Sequence, residues 1–206
     1  VLINGPSGSG KELAARTIHS QSDRRQEQFV VANCARLSTE RVDAELFGAE
    51  SLQSHRRVAG LFELAHRGTL YFDEICDLPL ETQGKIVRAV NEQRFRRVGG
   101  NSEVVVDLRV ISASSRDLSS EISAGRLRED LYYRLGVVPL LMPSLAHRRE
   151  DIPVLAKYFT NRIAKHLGVR PIRLSDEIFA AMQGYDWPGN VRQMHNVIET
   201  LLIMAP

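Results

Sequence analysis

Short apolar runs alternate with amphipathic stretches along the first two thirds of the chain. The apolar runs have the length and residue types of buried strands, and they span 1–4, 29–33, 69–72, 104–111 and 137–140. The stretches between them have apolar side chains at helical spacing and predict helices at 11–22, 39–47, 61–65, 80–92, 119–124 and 128–135. A polar, basic loop is expected at 48–60. Strands that alternate with helices indicate an α/β fold with a parallel sheet of five strands.

The pattern changes after Pro143, and from there the chain predicts helices only, at 152–167, 175–184 and 191–204. We therefore expect an α/β domain over 1–142, followed by a linker and a small all-α domain over 143–206. The chain begins inside an apolar run and stops after a helix, so we expect it to be one part of a longer protein.

Composition and charge exclude several classes of protein. The 206 residues are 43% hydrophobic and 25% charged, which is typical of a globular protein. No apolar run approaches the roughly 20 residues of a membrane span, and no signal peptide opens the chain, so we expect a cytoplasmic protein without a membrane partner. The net charge of +2 is too balanced to indicate nucleic-acid binding by itself. Cys34 and Cys76 lack the spacing of metal ligands and are interpreted as buried apolar residues.

A glycine-rich stretch at 5–12 reads Gly-Pro-Ser-Gly-Ser-Gly-Lys-Glu and lies between the first strand and the first helix. This is the context of a Walker A phosphate-binding loop. Gly8 and Gly10 would let backbone N–H groups surround phosphate oxygens, and Lys11 would reach the terminal phosphates beside the positive end of the helix. A glycine-rich turn before an ordinary helix is the alternative. The predicted nucleotide contacts in this loop are Gly5, Pro6, Ser7, Gly8, Ser9, Gly10, Lys11 and Glu12.

Two carboxylates, Asp73 and Glu74, follow the apolar run at 69–72. The carboxyl end of a buried parallel strand lies at the crevice where such sheets bind ligands. Asp73 is the predicted magnesium ligand, because Glu12 stands where a serine or threonine usually binds the metal. Glu74 is the predicted base that orients and deprotonates the attacking water. Asp-Glu pairs also occur on solvated helix ends, and it is the upstream Lys11 that favours the catalytic interpretation.

Several motifs occur in a fixed order along the chain, at 5–12, 33–35, 45–48, 68–75, 95–100, 128–135, 148–152 and 187–192. In sequence, order and spacing they resemble the central AAA+ ATPase domain of bacterial enhancer-binding proteins, the NtrC-like activators of sigma-54 RNA polymerase. The resemblance covers essentially the whole chain. It implies an AAA+ P-loop fold with a small all-α lid, and ATP and magnesium as ligands. It also accounts for Glu12, since this family itself has glutamate after the Walker lysine.

The resemblance also implies roles for residues outside the loop. Asn33 would switch Glu74 between resting and active positions, and Arg192 would be the sensor II arginine that approaches the phosphates. Arg128 and Arg134 would be arginine fingers that reach the nucleotide of a neighbouring subunit, which implies a dimer or a head-to-tail ring. Without the resemblance, Asn33 is interpreted as a cap at a strand end, and the two arginines as surface residues paired with nearby carboxylates.

The chain departs from the family at two places. The Gly-Ala-Phe-Thr-Gly-Ala loop, with which these activators contact the sigma factor, is missing, and 51–57 reads Ser-Leu-Gln-Ser-His-Arg-Arg instead. Ser115 replaces the sensor I asparagine that helps to place the attacking water, and its shorter side chain is expected to reach less far. This combination is most similar to the NtrX branch of nitrogen-response regulators. It implies a receiver domain that meets a sensor kinase and a C-terminal domain that binds DNA, both outside this chain.

The first hypothesis from the sequence is an ATP-binding AAA+ module of a two-component response regulator that controls transcription. Nucleotide would govern self-assembly, hydrolysis would be slow, and the missing loop argues against sigma-54 activation. One alternative is a working sigma-54 activator that uses 51–57 as a substitute loop, which the retained carboxylates and arginines favour. Another is a structural dimerisation module whose nucleotide site is a relic.

Overall fold

The computed structural model describes residues 1–51 and 57–204. These divide into two compact units, of which the first comprises Val1–Asn4 and Lys11–Leu141, and the second Gly5–Gly10 and Met142–Pro206. The loop Gly5–Gly10 thus groups with the C-terminal unit, whereas the sequence assigned it to the α/β domain. The boundary between 142 and 143 stays a prediction.

The first unit contains the strands and the shorter helices. In chain order its described strands are β1 (Leu2–Asn4), β2 (Phe29–Asn33), β3 (Ala49–Glu50), β4 (Arg57–Val58), β5 (Thr69–Asp73), β6 (Arg94–Arg96), β7 (Glu103–Val105), β8 (Arg109–Ser114) and β9 (Pro139–Leu141). Its described helices are α1 (Lys11–Ser20), α2 (Val42–Phe47), α3 (Leu61–Leu64), α4 (Leu80–Glu92), α5 (Leu118–Ser123) and α6 (Glu129–Leu135). Leu80–Glu92 has the bounds predicted from its spacing.

A five-stranded parallel sheet in the order β2-β5-β8-β1-β9 forms the centre of this unit and confirms the predicted fold class. Its register brings strand ends together at one edge. Asn33 at the end of β2 lies opposite Asp73 at the end of β5, and Asn4 at the end of β1 lies opposite Ser114 at the end of β8. Residues that follow these strands therefore emerge at a common edge of the sheet.

The strand predicted at 104–111 is wrong as a single element. Its first part, β7, pairs antiparallel with β6 in a separate hairpin, and only β8 joins the central sheet. Between them, the backbone N–H groups of Val106 and Leu108 donate to the main-chain oxygen and the side-chain oxygen of Gln93, at 2.9 and 3.1 Å. The bond from Val106 continues the register of the hairpin, in which Arg94 pairs with Val105, and the bond from Leu108 holds the chain at Gln93 before β8 begins. The sequence pattern reveals neither bond.

The region at 39–60 also differs from its prediction. The helix begins at Val42 rather than near 39, and the predicted loop contains the short antiparallel pair of β3 and β4. Glu50 in β3 accepts from Arg57 in β4 at 2.9 Å and lies 3.5 Å from Arg97. The part of the proposed substitute loop at 52–56 lies outside the described residues.

Phenylalanine side chains form the centre of the first unit's core. Phe62 is fully buried, and its ring lies 5.0 Å from that of Phe47, 5.6 Å from that of Phe95 and 6.1 Å from that of Phe72. The cluster joins α2, α3, β5 and β6. Aromatic pairs at these distances add to the stability that comes from burial of their area.

The second unit is helical, and its described helices are α7 (Ile152–Leu167), α8 (Asp176–Gly184) and α9 (Asn190–Met204). Gly168 ends α7 in a left-handed conformation, and the Ser175 hydroxyl caps α8 by accepting from the backbone of Ile178. Trp187 is buried in the core and donates to the carbonyl oxygen of Met182 at 2.7 Å. Among residues 1–51 and 57–204, no helix combines the length and the apolar character needed to cross a bilayer.

Replacement of Phe62 with alanine is expected to lower the free energy of unfolding of the first unit by about 3–5 kcal/mol, because the cavity lies at the centre of the aromatic cluster. Urea denaturation followed by circular dichroism measures the change. Tyr133→Ala is the matched control, since its side chain is 66% exposed and its loss should change stability little. Equal losses in the two variants would contradict the assignment of this core.

Candidate functional site

Backbone conformation accounts for the glycines of the predicted phosphate loop. Gly8 has φ of 73° and Gly10 has φ of 104°, a region that favours glycine. A Cβ atom on Gly8 would lie 2.4 Å from the carbonyl oxygen of Gly189, so no larger residue fits there. Ser9 is 1% exposed, and its hydroxyl has no hydrogen-bond partner among the described residues. A buried, unpartnered hydroxyl in this loop is available to a ligand oxygen.

Side chains of the second unit hold this loop in place. The amide of Asn190 donates to the carbonyl oxygen of Ser7 at 2.9 Å, and the guanidinium of Arg148 donates to the carbonyl oxygen of Ser9 at 2.6 Å. The predicted sensor II residue, Arg192, donates to the Ser7 hydroxyl at 3.2 Å. The sequence assigned no role to Asn190 or Arg148, although both lie inside motifs that carry the family resemblance, at 187–192 and 148–152.

A pocket of about 480 Å³ opens beside Ser7 and Arg192 in the second unit. One face of α9, at 193–201, supplies most of its wall, including the apolar side chains of Val197 and Leu201. An arginine and a loop hydroxyl at one end of a largely apolar pocket suit a ligand that carries both an anionic group and a flat apolar group.

In the first unit, Lys11 begins α1 and is 6% exposed. Its ammonium nitrogen lies 3.3 Å from the Oε1 atom of Glu74. Glu74 follows β5 and has a left-handed backbone, with φ of 56° and ψ of 59°. Such a conformation is uncommon outside glycine and asparagine and is found at functional sites. The structure therefore brings the predicted phosphate-binding lysine and the predicted base together.

Asp73, the predicted magnesium ligand, ends β5 beside Tyr71, whose hydroxyl donates to its Oδ1 atom at 3.1 Å. Burial raises the pKa of Asp73, the hydrogen bond from Tyr71 acts in the opposite direction, and the neighbouring Glu74 raises the pKa further. Within the described residues, no group of three or more His, Cys, Asp or Glu side chains is arranged to hold a metal. The single carboxylate of Asp73 still suits magnesium, which usually takes one or two carboxylates together with substrate phosphates.

Ser115 lies at the other side of the Glu74 carboxylate. Its backbone N–H and its hydroxyl both donate to the Oε2 atom of Glu74, at 2.8 and 3.0 Å. Ser115 has a shorter side chain than the asparagine it replaces, but it still reaches the Glu74 carboxylate. No hydrogen bond joins the Asn33 side chain to Glu74 in the described part of the chain, and the switch role of Asn33 stays a prediction.

The two predicted arginine fingers both have partners in their own unit. The guanidinium of Arg128 donates to Asp130 at 2.7 and 3.0 Å, and that of Arg134 donates to the Val90 carbonyl oxygen at 3.2 Å. The fully buried Gln83 accepts from the backbone N–H of Arg128 at 2.9 Å and so fixes the start of α6. Sequence reasoning missed Gln83, since its partner lies 45 residues away.

An ion-pair network around the buried Glu121 anchors the segment after Ser115. Glu121, only 7% exposed at its side chain, accepts from Arg126 at 2.7 Å and from Arg116 at 3.2 Å. Arg116 also pairs with Asp77. The hydrogen bond from Arg126, and to a smaller extent that from Arg116, lowers the pKa of Glu121 to about 2.

Comparison with known proteins places this geometry in a family. Residues 1–141 match the family model described as the sigma-54 interaction domain, and residues 146–206 match the AAA+ ATPase lid domain. NtrX of Azorhizobium caulinodans is 51% identical over 205 residues, which cover 100% of this chain and 45% of that protein. PilR of Pseudomonas aeruginosa is 44% identical over 202 residues, 97% of this chain and 45% of that one. The chain thus spans less than half the length of these relatives.

Solved structures agree with the sequence comparisons. Brucella abortus NtrX in complex with ATP has a TM-score of 0.92 and 47% identity, over 98% of this chain and 46% of that one. S. cerevisiae Hsp104 has a TM-score of 0.72 at 16% identity, over 98% of this chain and 39% of that one, and indicates the fold alone. The AAA+ fold and the resemblance to NtrX predicted from the sequence are confirmed.

Glu121→Gln is expected to lower stability at neutral pH, because the variant loses the charge that Arg126 and Arg116 stabilise. Since the pKa of Glu121 falls from its ordinary 4.5 to about 2, this stabilisation is complete above pH 4.5 and is lost as the pH falls through about 2. The difference between wild type and variant should therefore shrink towards acid pH. Urea midpoints from neutral pH to about pH 3 measure it.

The matched control is Glu81→Gln, whose side chain is 81% exposed and whose ion pair with Lys85 lies on the surface of α4. It should show little loss at any pH. A difference between wild type and Glu121→Gln that stays constant with pH would contradict the proposed origin of the low pKa.

Proposed function

We propose, because this chain belongs to the sigma-54 interaction domain family, that it is the ATP-binding AAA+ module of a two-component response regulator that controls transcription. The observation that carries the proposal is the buried Lys11 at the start of α1, directly after a loop whose Gly8 and Gly10 need positive φ. The Brucella abortus NtrX structures with ADP and with ATP support it, since that protein is 47% identical to this chain.

Each part of the loop has a role in this proposal. Backbone N–H groups around Gly8 and Gly10 bind phosphate oxygens, and the Ser9 hydroxyl, which has no partner in the described part of the chain, adds a donor. Lys11 neutralises the terminal phosphates. Arg192, held beside Ser7, contributes a further positive charge near the loop. Glu12 is exposed and pairs with Arg16 on the outside of α1 at 2.8 Å, and its contact with the nucleotide stays a prediction.

For hydrolysis, we assign magnesium binding to Asp73 and the orientation and deprotonation of water to Glu74. Magnesium, when bound, neutralises charge that develops on the phosphoryl oxygens. Ser115 helps to place Glu74 through two hydrogen bonds, and we assign a part in the active arrangement to Asn33, which ends the adjacent strand opposite Asp73.

We propose that hydrolysis by a single chain is slow, because the fingers act on the nucleotide of a neighbouring subunit. Arg128 makes two hydrogen bonds to Asp130 of its own chain and is not available to a phosphate unless that pair opens. A neighbouring subunit in a dimer or head-to-tail ring would present a nucleotide to Arg128 and Arg134, which would then stabilise charge in the transition state. We propose that nucleotide binding and assembly are linked in this way.

Transcriptional control would be exerted by parts of the protein outside this chain. We propose that a C-terminal domain binds DNA, that a receiver domain meets the sensor kinase, and that the protein acts in the cytoplasm, as expected of a response regulator. The chain lacks the Gly-Ala-Phe-Thr-Gly-Ala sequence, so we do not assign it sigma-54 activation. The second candidate function, a sigma-54 activator with a substitute loop, is favoured by the retained Asp73, Glu74 and both arginines.

Lys11→Ala should abolish binding of ATP and ADP, because it removes the ammonium that the phosphates require while the exposed surface stays unchanged. Isothermal titration calorimetry measures the affinity. Lys85→Ala is the matched control, since the Lys85 side chain is 44% exposed and pairs with Asp43 and Glu81, and its loss should leave the affinity unchanged. Equal affinities in wild type and Lys11→Ala, with both variants folded, would contradict the proposed site.

ATP turnover per subunit should rise with protein concentration, because each site needs an arginine from a neighbour. Arg128→Ala should reduce turnover by about 10³-fold or more, since arginine fingers contribute about 10³–10⁵ in rate. Glu74→Gln should reduce turnover by about 10²–10⁴-fold, the range expected for loss of a general base. Arg88→Ala, on the exposed face of α4, is the control and should leave turnover unchanged.

A mixture of the two inactive variants provides the sharper test. One interface in the mixed assembly combines the Glu74 of the Arg128→Ala chain with the Arg128 of the Glu74→Gln chain, so turnover should partly recover. Turnover that is independent of concentration, with no recovery on mixing, would contradict the assembly. Open-complex formation with sigma-54 polymerase would favour the second candidate function.

A further inference from the structure

The carboxylate of Glu74 has partners on both of its oxygens. Oε1 lies 3.3 Å from the Lys11 ammonium, and Oε2 accepts the backbone N–H and the hydroxyl of Ser115 at 2.8 and 3.0 Å. The carboxylate is thus fixed between α1 and the end of β8. If phosphate takes the place of Glu74 beside Lys11, the carboxylate has to leave this position.

The backbone at Glu74 limits where its side chain can go. Its left-handed conformation, with φ of 56° and ψ of 59°, makes the chain turn sharply at the end of β5. Ser115 follows directly after Ser114, the last residue of β8, so the neighbouring strand sets its position. The turn and the strand end together aim the carboxylate at Ser115.

We propose that Ser115 is the positioning residue that holds Glu74 against Lys11 in the nucleotide-free protein, so that Glu74 competes with phosphate for the lysine. This inference rests on the proposed function, because it assigns Lys11 to the phosphates. Ser115 therefore opposes nucleotide binding, in addition to its expected role beside the attacking water.

The physical basis is the burial of Lys11. An ammonium group that is only 6% exposed needs a counter-charge, and without nucleotide the nearby Glu74 carboxylate supplies it. Two hydrogen bonds from Ser115 reduce the freedom of Glu74 and so strengthen this pair. In this proposal phosphate replaces Glu74 beside Lys11, and each donor on Ser115 increases the free energy of that exchange.

A double-mutant cycle in the nucleotide-free protein tests the contact itself. Ser115→Ala should lower the Tm by roughly 2–4 °C, the change expected from one hydrogen bond in a protein of this size. In the Glu74→Ala background, which has no acceptor, Ser115→Ala should change the Tm little. Equal Tm shifts in the two backgrounds would overturn the proposal.

ADP affinity, measured by calorimetry without hydrolysis, tests the competition. Ser115→Ala should bind ADP roughly three- to tenfold more tightly, since it loses one hydrogen bond to a charged group. Ser115→Thr keeps the hydroxyl and should return the affinity towards that of the wild type. In the Glu74→Ala background, Ser115→Ala should change the affinity less than twofold or so.

Ser112→Ala is the matched control, because Ser112 lies in the same strand with a buried hydroxyl that has no partner among the described residues. Its ADP affinity should equal that of the wild type. If the wild type binds ADP in a Lys11-dependent way and Ser115→Ala does not change the affinity, only this inference is overturned. If the wild type binds no ADP, the proposed function and the competition are overturned together.

Discussion

The parallel order of the central sheet is the constraint on which the rest of the first unit depends. Parallel strands joined by helices all end at the same edge, so residues distant in sequence meet there. Asp73 ends β5 opposite Asn33, and Ser114 ends β8 opposite Asn4. The chemistry of Glu74 and Ser115 follows from this alignment, because each is the first residue after a strand of the same sheet.

The helices and buried strands could be predicted from periodicity because local sequence determines them. Leu80–Glu92 and Ile152–Leu167 have the predicted bounds, since their apolar faces recur at helical spacing and are buried. The single strand at 104–111 was wrong because its first part pairs with β6 in a hairpin that reaches Val106 and Gln93, whereas β8 pairs with β5 in the central sheet. Such bonds depend on the tertiary arrangement, and an apolar run alone does not encode them.

Motifs identified the candidate site residues but not their partners. Lys11, Asp73 and Glu74 were found because glycine spacing and a strand-end carboxylate pair are local signals. The hydrogen bonds of Ser115 to Glu74 cross 41 residues, and that of Arg148 to Ser9 crosses 139. A serine where the family has asparagine predicted a shorter reach, yet the turn at Glu74 brings the carboxylate to it. Only the folded backbone determines that distance.

The cationic groups assigned to phosphate already have partners within their own unit. Lys11 lies beside Glu74, and Arg128 binds Asp130. The two pairs differ in strength. Lys11 is buried, and a lone buried charge is strongly unfavourable, so Lys11 needs its partner. Arg128 is 44% exposed, and its pair contributes little stability. Opening the Arg128 pair therefore requires little free energy, while release of Lys11 requires a replacement anion. The exposed pair is thus the easier of the two to open, and in the proposed competition it is a phosphate that replaces Glu74 beside Lys11.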